Sequence, residues 1–203
     1  MGHAREAGEL MTGFARHRRS KRVIATFTGF EADLLRSLAG QLVELLRNEA
    51  AVPEERDPLE AMLDFTGPTT EPEDPVLARL FPSAYPHDDE AAAEFRRFTE
   101  GTLRDGKARA ASSIIDALEE AGLPAELDDD GLMIDVELPE EEAQVWLRSF
   151  TDLRLALATR LGVEEDDEAR WATMPEDDPR NQAHDIYEWI GYLQETLVRA
   201  LMR

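Results

Sequence analysis

The apolar and polar residues from Thr26 to Asn48 follow the period of one amphipathic helix, entered from a short strand. The apolar stripe of this helix is built from leucines at helical spacing and widened by flanking residues: Leu35, Leu38, Leu42, Leu45, Phe30, Leu34, Val43 and Leu46. Thr28 and Glu31 have the spacing of a capping box, in which each side chain accepts a hydrogen bond from a backbone N–H that the first turn leaves free. We therefore expect a helix that begins near Thr28 and forms the centre of the core.

Two later stretches predict helices with similar apolar faces, and both are expected to pack on the first helix. Pro139 is followed by three glutamates, which is typical of a helix start, and Gly162 is typical of a helix end. Asp178-Pro179 indicates the start of the last helix, whose apolar stripe runs over Ile186–Leu201.

Two short stretches predict strands of an antiparallel sheet. Val23–Phe27 is rich in β-branched and aromatic residues, and apolar residues alternate with polar ones over Leu132–Leu138, the period of a half-buried strand. Asp130-Gly131 is typical of a hairpin turn, so Ala125–Asp128 is a further candidate to pair with the second of these strands. The sheet is therefore predicted to have two or three strands.

The middle of the chain is predicted to hold shorter elements. Seven of the eleven prolines fall within residues 51–87, which predicts a meander that packs against the core. Short helices are expected in it at Leu59–Asp64 and at Pro75–Leu80, the second with Asp74 as its cap.

A helix capped by Asp88 is expected to follow this meander, with one side buried: Ala91, Phe95, Phe98 and Thr102. Glycine is a poor helix former, so Gly106 favours a break near Arg104–Lys107, before a second helix over residues 108–121.

These patterns together predict a mainly α fold of the α+β class, a helical bundle with a small two- or three-stranded antiparallel sheet. Residues 1–20 lack periodicity and are predicted to form a flexible basic arm. Residues 21–203 are predicted to form a single compact helical domain, since a chain of 203 residues can supply one good core.

The net charge of −22 is unevenly distributed along the chain. Residues 1–22 contain six basic and two acidic residues, a local charge of +4, so the remainder carries −26. An acidic body repels phosphate backbones, which disfavours direct DNA binding through the globular part and favours basic surfaces of a protein partner.

For most kinds of catalytic, metal or nucleotide site, the sequence either lacks the required residues or offers no candidate. The chain has no cysteine, which excludes disulfides, thiolate metal sites and cysteine-based redox sensing. Glycine-rich nucleotide motifs, the nucleophile elbow and the zinc motif H-E-x-x-H do not occur. His184 and Glu188 have a spacing that can chelate a metal, but two ligands do not make a site, and a surface pair is the favoured interpretation.

We therefore predict that the protein is not an enzyme and has no cofactor. The sequence has no signal peptide and no apolar run long enough to span a membrane, which predicts a cytoplasmic protein.

Ten basic residues in two groups are the candidate contacts for a partner or for nucleic acid. The first group lies in and just after the arm, and the second on the helix after Asp88: Arg16, Arg18, Arg19, Lys21, Arg22, Arg96, Arg97, Arg104, Lys107 and Arg109. The alternative for the first group is a solvated tail, or one that folds back onto the acidic body. The alternative for the second is that its arginines bridge the helix to the acidic meander, with Arg96 in reach of Glu100.

The order of elements around Gly106 also permits a winged helix-turn-helix domain, with a helix, a turn, a second helix and a hairpin. The acidic residues on the second helix argue against it as a reader of DNA: Asp116, Glu119 and Glu120.

Two stretches of the chain resemble the actinobacterial oxidative-stress regulator family, formerly described as a domain of unknown function. They are FEADLLRSLAGQLVELL and DPVLARLFPSAYPHDDEAAAEFRRFTEGTLRDGKARAA, which contains the strings R-L-F-P-x-A-Y and E-F-R-R-x-T-E. The resemblance covers roughly residues 23–203. It implies a cytoplasmic protein linked to the transcriptional response to oxidative stress, in contact with a stress sigma factor. Redox sensing in the family is tied to cysteines, which this chain lacks.

The leading hypothesis is a non-enzymatic regulator that contacts a sigma factor or RNA polymerase and does not use cysteine redox sensing. One alternative is an accessory partner of a protease adaptor or of cysteine-metabolism proteins, whose genes often lie near those of the family. Another is a winged-helix-like DNA-binding protein. A ligand-binding enzyme is a further class, and it requires a set of polar residues to converge on one apolar pocket: Arg96, Arg97, Glu100, His184 and Glu188.

Overall fold

The computed structural model describes residues 13–48, 67–127, 131–164, 167–175 and 177–202. Within these residues the chain forms nine elements: β1 (Ala15–Arg16), β2 (Val23–Thr28), α1 (Gly29–Asn48), α2 (Pro75–Leu80), α3 (Asp89–Glu120), β3 (Met133–Leu138), α4 (Glu140–Leu161), α5 (Glu168–Ala172) and α6 (Pro179–Leu201). The predicted mainly α fold with a small antiparallel sheet is confirmed. In the part of the chain that the structure describes, no helix is both long and apolar enough to cross a membrane.

Strand β2 runs directly into α1, and the predicted capping box joins them. Thr28 Oγ1 accepts a hydrogen bond from the Glu31 N–H at 3.2 Å, and Glu31 Oε2 accepts one from the Thr28 N–H at 2.8 Å. The first turn offers no other acceptor for these donors, so the box fixes where α1 begins. Phe30 was expected on the apolar stripe but is 70% exposed, because it lies about 140° around the helix from the buried Leu35.

The sheet has the order β1-β2-β3, and both pairs of strands are antiparallel. The pairing of β2 with β3 extends from Val23 opposite Leu138 to Thr28 opposite Met133. Because side chains alternate across a strand, the apolar residues of both strands share one face, which packs against the helices. These residues are Val23, Ala25, Phe27, Ile134, Val136 and Leu138.

The expected pairing of β3 with residues 125–128 is not seen in the described part of that stretch, which contains no strand. Strand β3 pairs with β2 instead, because β2 offers six residues whose buried positions alternate as those of β3 do.

Two pairs of helices close the core over this sheet, with α1 packed along α3 and α4 packed along α6. The expectation that α4 and α6 are the main partners of α1 is therefore wrong. Helix α3 takes that role because the inner face of its second half is apolar: Ala108, Ala111, Ile114 and Leu118.

Part of the predicted flexible arm belongs to the folded body. Phe14 is buried, and its ring lies 5.9 Å from the rings of Phe27, Trp146 and Phe150, measured between centroids. The Phe14 N–H donates to Thr196 Oγ1 of α6 at 3.1 Å. An aromatic side chain in an otherwise polar stretch gains by joining this cluster, so the predicted boundary at residue 20 is too late. Residues 1–12 lie outside the described residues.

Helix α3 corrects two predictions. It is continuous over 32 residues, so the break predicted near Arg104–Lys107 is wrong. Its buried face begins with charged residues, whereas Phe95 and Phe98, expected to be buried, are exposed. The break was predicted from the low helix propensity of Gly106, which tertiary context overrides. The buried face was mispredicted because arginines and a glutamate that satisfy one another line the inner face, and their aliphatic stems pack like apolar side chains.

The predicted helix starts at aspartates are confirmed. Asp74 Oδ1 accepts from the Val76 N–H at 2.7 Å, Asp88 Oδ1 accepts from the Ala91 N–H at 3.0 Å, and Asp178 Oδ1 accepts from the Arg180 N–H at 2.9 Å. These bonds satisfy donors that the first turn of a helix leaves free.

At the other predicted boundaries, Pro139 is the residue before α4, which begins at Glu140, and Gly162 ends α4 with a φ of 63° that favours glycine. In the meander, α2 is present as predicted, and its Leu77 and Leu80 are buried. The helix predicted at Leu59–Asp64 lies outside the described residues.

Candidate interaction site

The first group of predicted basic residues forms the turn between β1 and β2. The His17 N–H donates to the Arg22 carbonyl at 2.8 Å, and the Lys21 N–H donates to the His17 carbonyl at 3.0 Å. These two bonds close a short loop that reverses the chain. The sequence prediction of a free tail is therefore replaced by a tight hairpin whose tip carries the charge.

Side-chain contacts hold this turn against β3 and the start of α4. Ser20 Oγ lies 2.8 Å from His17 Nδ1 and donates to Glu137 Oε1 at 3.3 Å. Arg22 NH2 donates to the Glu137 carbonyl at 3.0 Å, and its guanidinium lies 3.2 Å from Glu137 Oε1. Arg16 forms an ion pair with Glu140 at 2.9 Å. Arg16 and Arg22 thus contribute to structure, and their charges are already paired.

The three remaining basic residues of the group, Arg18, Arg19 and Lys21, are exposed. None of them forms an ion pair with any residue that the structure describes, although the chain carries a net charge of −22. We name these three residues the basic tip. It concentrates three positive charges on four consecutive residues of a braced turn, which is a geometry suited to an acidic partner surface.

Lys21 adopts a left-handed backbone conformation, with a φ of 62°. This conformation costs a non-glycine residue about 1 kcal/mol or more, because its Cβ lies too close to the backbone. Glycine is the residue that such a turn position ordinarily favours. The chain places a cation there instead, so the turn is not optimised for stability alone.

The second group of predicted basic residues does not form a patch. Arg96, Glu100 and Arg104 make a buried triad along α3, in which both guanidinium groups bond to the one carboxylate. Arg104 Nε donates to Glu100 Oε1 at 2.8 Å, and Arg96 NH1 donates to Glu100 Oε2. The predicted pairing of Arg96 with Glu100 is thus observed, inside the protein and not on its surface.

The arginines of the triad also bond to backbone carbonyls of neighbouring segments. Arg96 NH2 donates to the Phe81 carbonyl at 3.1 Å, and Arg104 NH1 donates to the Leu46 carbonyl at 3.4 Å. The guanidinium carbon of Arg104 lies 4.9 Å from the centroid of the Phe81 ring. The triad therefore joins α3 to the end of α1 and to the residue after α2, which is a structural task.

The other three residues of the group point in different directions. Lys107 Nζ forms an ion pair of 2.6 Å with Asp152 of α4. Arg97 is exposed over the ring of Phe98 at 5.5 Å, and Arg109 is exposed with its Nε bonded to the Asp105 carbonyl at 3.2 Å. Two charges out of five are therefore free of an acidic partner among the described residues.

The continuity of α3 also removes the winged helix-turn-helix interpretation, because no turn and second helix follow Arg104. The residues proposed for an enzymatic pocket are not joined in the structure. His184 stacks on Trp171 of α5 with ring centroids 4.3 Å apart, and no hydrogen bond or ion pair among the described residues links it to the triad. No group of three metal-ligating side chains occurs within those residues.

Comparison with known proteins covers nearly the whole chain. The family model described as "Domain of unknown function (DUF2017)" matches residues 11–201. The relative from Mycobacterium leprae (strain TN), named "Putative oxidative stress regulator AosR", is 35% identical over 186 residues, which are 85% of this chain and 79% of that protein. The relative from Mycobacterium tuberculosis (strain H37Rv), named "Oxidative stress regulator AosR", is 30% identical over 187 residues, or 85% of this chain and 78% of that protein.

No solved structure matches the chain. The match over residues 11–201 spans every described element, and the similarity to the mycobacterial proteins confirms the family expected from the two quoted stretches. This chain belongs to the DUF2017 family, together with the mycobacterial oxidative-stress regulators.

Proposed function

We propose that this protein is a non-enzymatic regulator of the oxidative-stress response that acts through protein contacts. The names of its mycobacterial relatives support the regulatory role. The chain contains no cysteine, so its regulation does not depend on thiol oxidation within this chain. We propose a sigma factor or RNA polymerase as the partner, as the family resemblance implies.

The observation that carries this proposal is the basic tip on an acidic protein. Arg18, Arg19 and Lys21 stand on a turn that Ser20 and Glu137 hold in place, so little conformational entropy is lost when a partner binds. The whole chain carries a net charge of −22, so the protein repels most acidic surfaces. An acidic segment of a partner is therefore steered to this tip, while basic partner surfaces meet the acidic body.

The left-handed backbone at Lys21 supports the same conclusion. The chain accepts a local cost in stability at the position where a cation completes the tip. Such outliers persist where the surrounding structure holds them and where function needs the side chain.

A pull-down with matched charge variants tests the proposal. The binding variant carries Arg18→Ala, Arg19→Ala and Lys21→Ala, and we expect it to lose the transcription component that the wild type recovers from oxidant-treated cells. The control variant removes the same number of exposed positive charges elsewhere on the chain: Arg47→Ala, Arg79→Ala and Arg148→Ala. Equal recovery by the binding variant and the wild type, or no transcription component with either, contradicts the proposal.

The same experiment separates this proposal from the alternatives. Recovery of a protease adaptor or of cysteine-metabolism proteins in place of transcription components favours the accessory role. Direct DNA binding is tested by fluorescence anisotropy at low and high salt, where phosphate contacts are strongest at low salt. We expect no binding to duplex DNA at either concentration, because the acidic body repels it.

A further inference from the structure

Helix α3 carries an exposed apolar stripe on the side that faces away from the core. Phe95 and Phe98 of this helix are exposed, and the ring of Tyr85 packs against Phe95 with centroids 5.9 Å apart. Phe98 is 65% exposed. Together these three side chains leave roughly 300 Å² open to solvent, about the size of the largest apolar patch on a typical monomeric protein, which is often functional.

The stripe also contains two positions where another backbone can approach closely. Thr102 is exposed, and Gly106 has open space around it, since a Cβ built there meets no atom within 4 Å. Glycine is among the poorest helix formers, and nothing inside this chain requires one at that position. A partner that packs closely against the helix at this point accounts for the glycine.

The residues of the stripe are arranged symmetrically along α3. Phe95, Phe98, Thr102, Gly106 and Arg109 follow one another at spacings of 3, 4, 4 and 3, so their positions, though not their residue types, are symmetric about Thr102. A stripe with this order is complementary to an antiparallel copy of itself. Each large residue then faces a small or cationic one across a two-fold axis at Thr102.

We propose that this stripe is the interface of a homodimer, in which α3 packs antiparallel against α3 of a second copy. Phe98 of each copy fills the space beside Gly106 of the other. Phe95 of each copy faces Arg109 of the other, which is a favourable arrangement of a ring and a guanidinium group. Glu94 lies next to Phe95 and reaches the same Arg109, so each copy supplies one half of two equivalent ion pairs.

The charge of this region fits a second copy of an otherwise acidic chain. The exposed charged side chains of residues 94–109 are Glu94, Arg97, Asp105 and Arg109, a net charge of zero, although the whole chain carries −22. Two copies that meet along α3 therefore keep their most acidic surfaces apart. Salt screens the remaining repulsion, so the dimer is expected to strengthen as ionic strength rises. Binding through the basic tip is expected to weaken under the same change, which separates the two proposals.

Sedimentation velocity over a range of protein concentrations tests the dimer directly. We expect a reversible monomer–dimer equilibrium for the wild type, and Phe98→Glu is expected to raise its dissociation constant by about 30-fold or more. Phe30→Glu is the matched control, because Phe30 is 70% exposed on α1 and lies outside the stripe. A wild type that stays monomeric at all concentrations, or equal effects of the two variants, overturns the proposal.

The variant Gly106→Gln separates loss of the dimer from loss of the fold. Glutamine is a better helix former than glycine, so this variant is expected to unfold at a higher temperature as a monomer, while its side chain fills the space reserved for Phe98 of the second copy. A variant that is at least as stable as the wild type and has lost the dimer supports the interface. Dimerisation as tight as in the wild type contradicts it.

Cross-linking tests the position of the two-fold axis. The chain has no cysteine, so Thr102→Cys introduces a single thiol. Closely packed helices bring facing Cα atoms within the roughly 4–7 Å that a disulfide spans, so oxidation is expected to trap a dimer. Ser37→Cys, which is exposed on α1, is the control. Equal cross-linking of the two variants, or none with Thr102→Cys, overturns the proposed axis.

Discussion

Replacing Glu100 with glutamine tests the buried triad of α3 with almost no change in shape. The side chain of Glu100 is 2% exposed, and those of Arg96 and Arg104 are each 8% exposed. The variant removes the carboxylate that both guanidinium groups share, and it turns an amide N–H₂ towards one of these donors. Removing one member of a buried ion network costs about 3–5 kcal/mol of stability. For a chain of this size we therefore expect the Tm to fall by roughly 6–20 °C.

Urea unfolding, followed by circular dichroism and by the fluorescence of the three buried tryptophans, Trp146, Trp171 and Trp189, measures this loss. We expect a midpoint lower by about 1–2 M with an unchanged m value, because the folded and unfolded states expose the same surface as before. Glu119→Gln is the control on the same helix, since Glu119 is exposed, and its effect is expected to stay within about 0.5 kcal/mol. High salt is not expected to reduce the effect of Glu100→Gln, because buried charges are poorly screened.

The result that refutes this reasoning is a Glu100→Gln protein whose free energy of unfolding lies within about 0.5 kcal/mol of the wild type. A large loss that disappears at high salt also refutes it, since that behaviour belongs to a solvent-exposed ion pair.

Three further predictions follow from single positions. Lys21→Gly removes the strain of a left-handed residue, so thermal unfolding is expected to show a gain of about 1 kcal/mol while partner binding weakens; an unchanged Tm contradicts this. Gly40→Ala is expected to stabilise α1 by about 0.5–1 kcal/mol in urea unfolding, because a Cβ at Gly40 meets no atom within 4 Å, and any loss contradicts it. A hydrogen bond from the Arg180 side chain lowers the pKa of Asp178 to about 2, from an ordinary 3.8. The folded pKa is the lower one, so the stability that this carboxylate adds is present above about pH 4 and is lost as the pH falls towards about 2. The difference in stability between the wild type and Asp178→Asn should shrink over that range, and a difference independent of pH contradicts the assignment.

The sequence was sufficient to predict those elements for which the local hydrogen bonds and the pattern of buried positions favour the same conformation. The capping box at Thr28 and Glu31 fixed the start of α1, and the strict alternation over residues 132–138 predicted β3. The left-handed end of α4 at Gly162 was equally predictable. In each case a local hydrogen bond or a period of two decides the conformation, and no distant residue is needed.

The face of α3 was mispredicted because the prediction treated arginine as a surface residue. Charged side chains enter a core when their charges and donors are satisfied there, and an inventory of apolar positions does not record this. The signal was present in the spacing of Arg96, Glu100 and Arg104, which puts alternating charges on one side of a helix at intervals of four. That row continues into Ala108 and Ala111, which are buried.

The basic tip was predicted by composition, but its geometry was not. Six basic residues among the first 22 indicated an electrostatic contact, yet only the structure separates Arg16 and Arg22, which are paired, from the exposed residues of the tip. The hairpin depends on Phe14, whose partners in the aromatic cluster come from β2 and α4. Contacts over such long distances in sequence have no local pattern.

The hydrogen bond from Phe14 to Thr196 has a consequence for folding during synthesis. The two residues are 182 positions apart, so at about 5–20 residues per second a ribosome needs roughly 10–40 s to make the second after the first. Strand β2 waits for most of that time as well, because β3 begins more than a hundred residues after it. The apolar side chains of the hairpin must therefore stay unburied until α4 and α6 have emerged, whereas α1 can pack against α3 earlier. We expect the nascent chain to depend on chaperones during this interval, and its native core to close only when the last helix arrives.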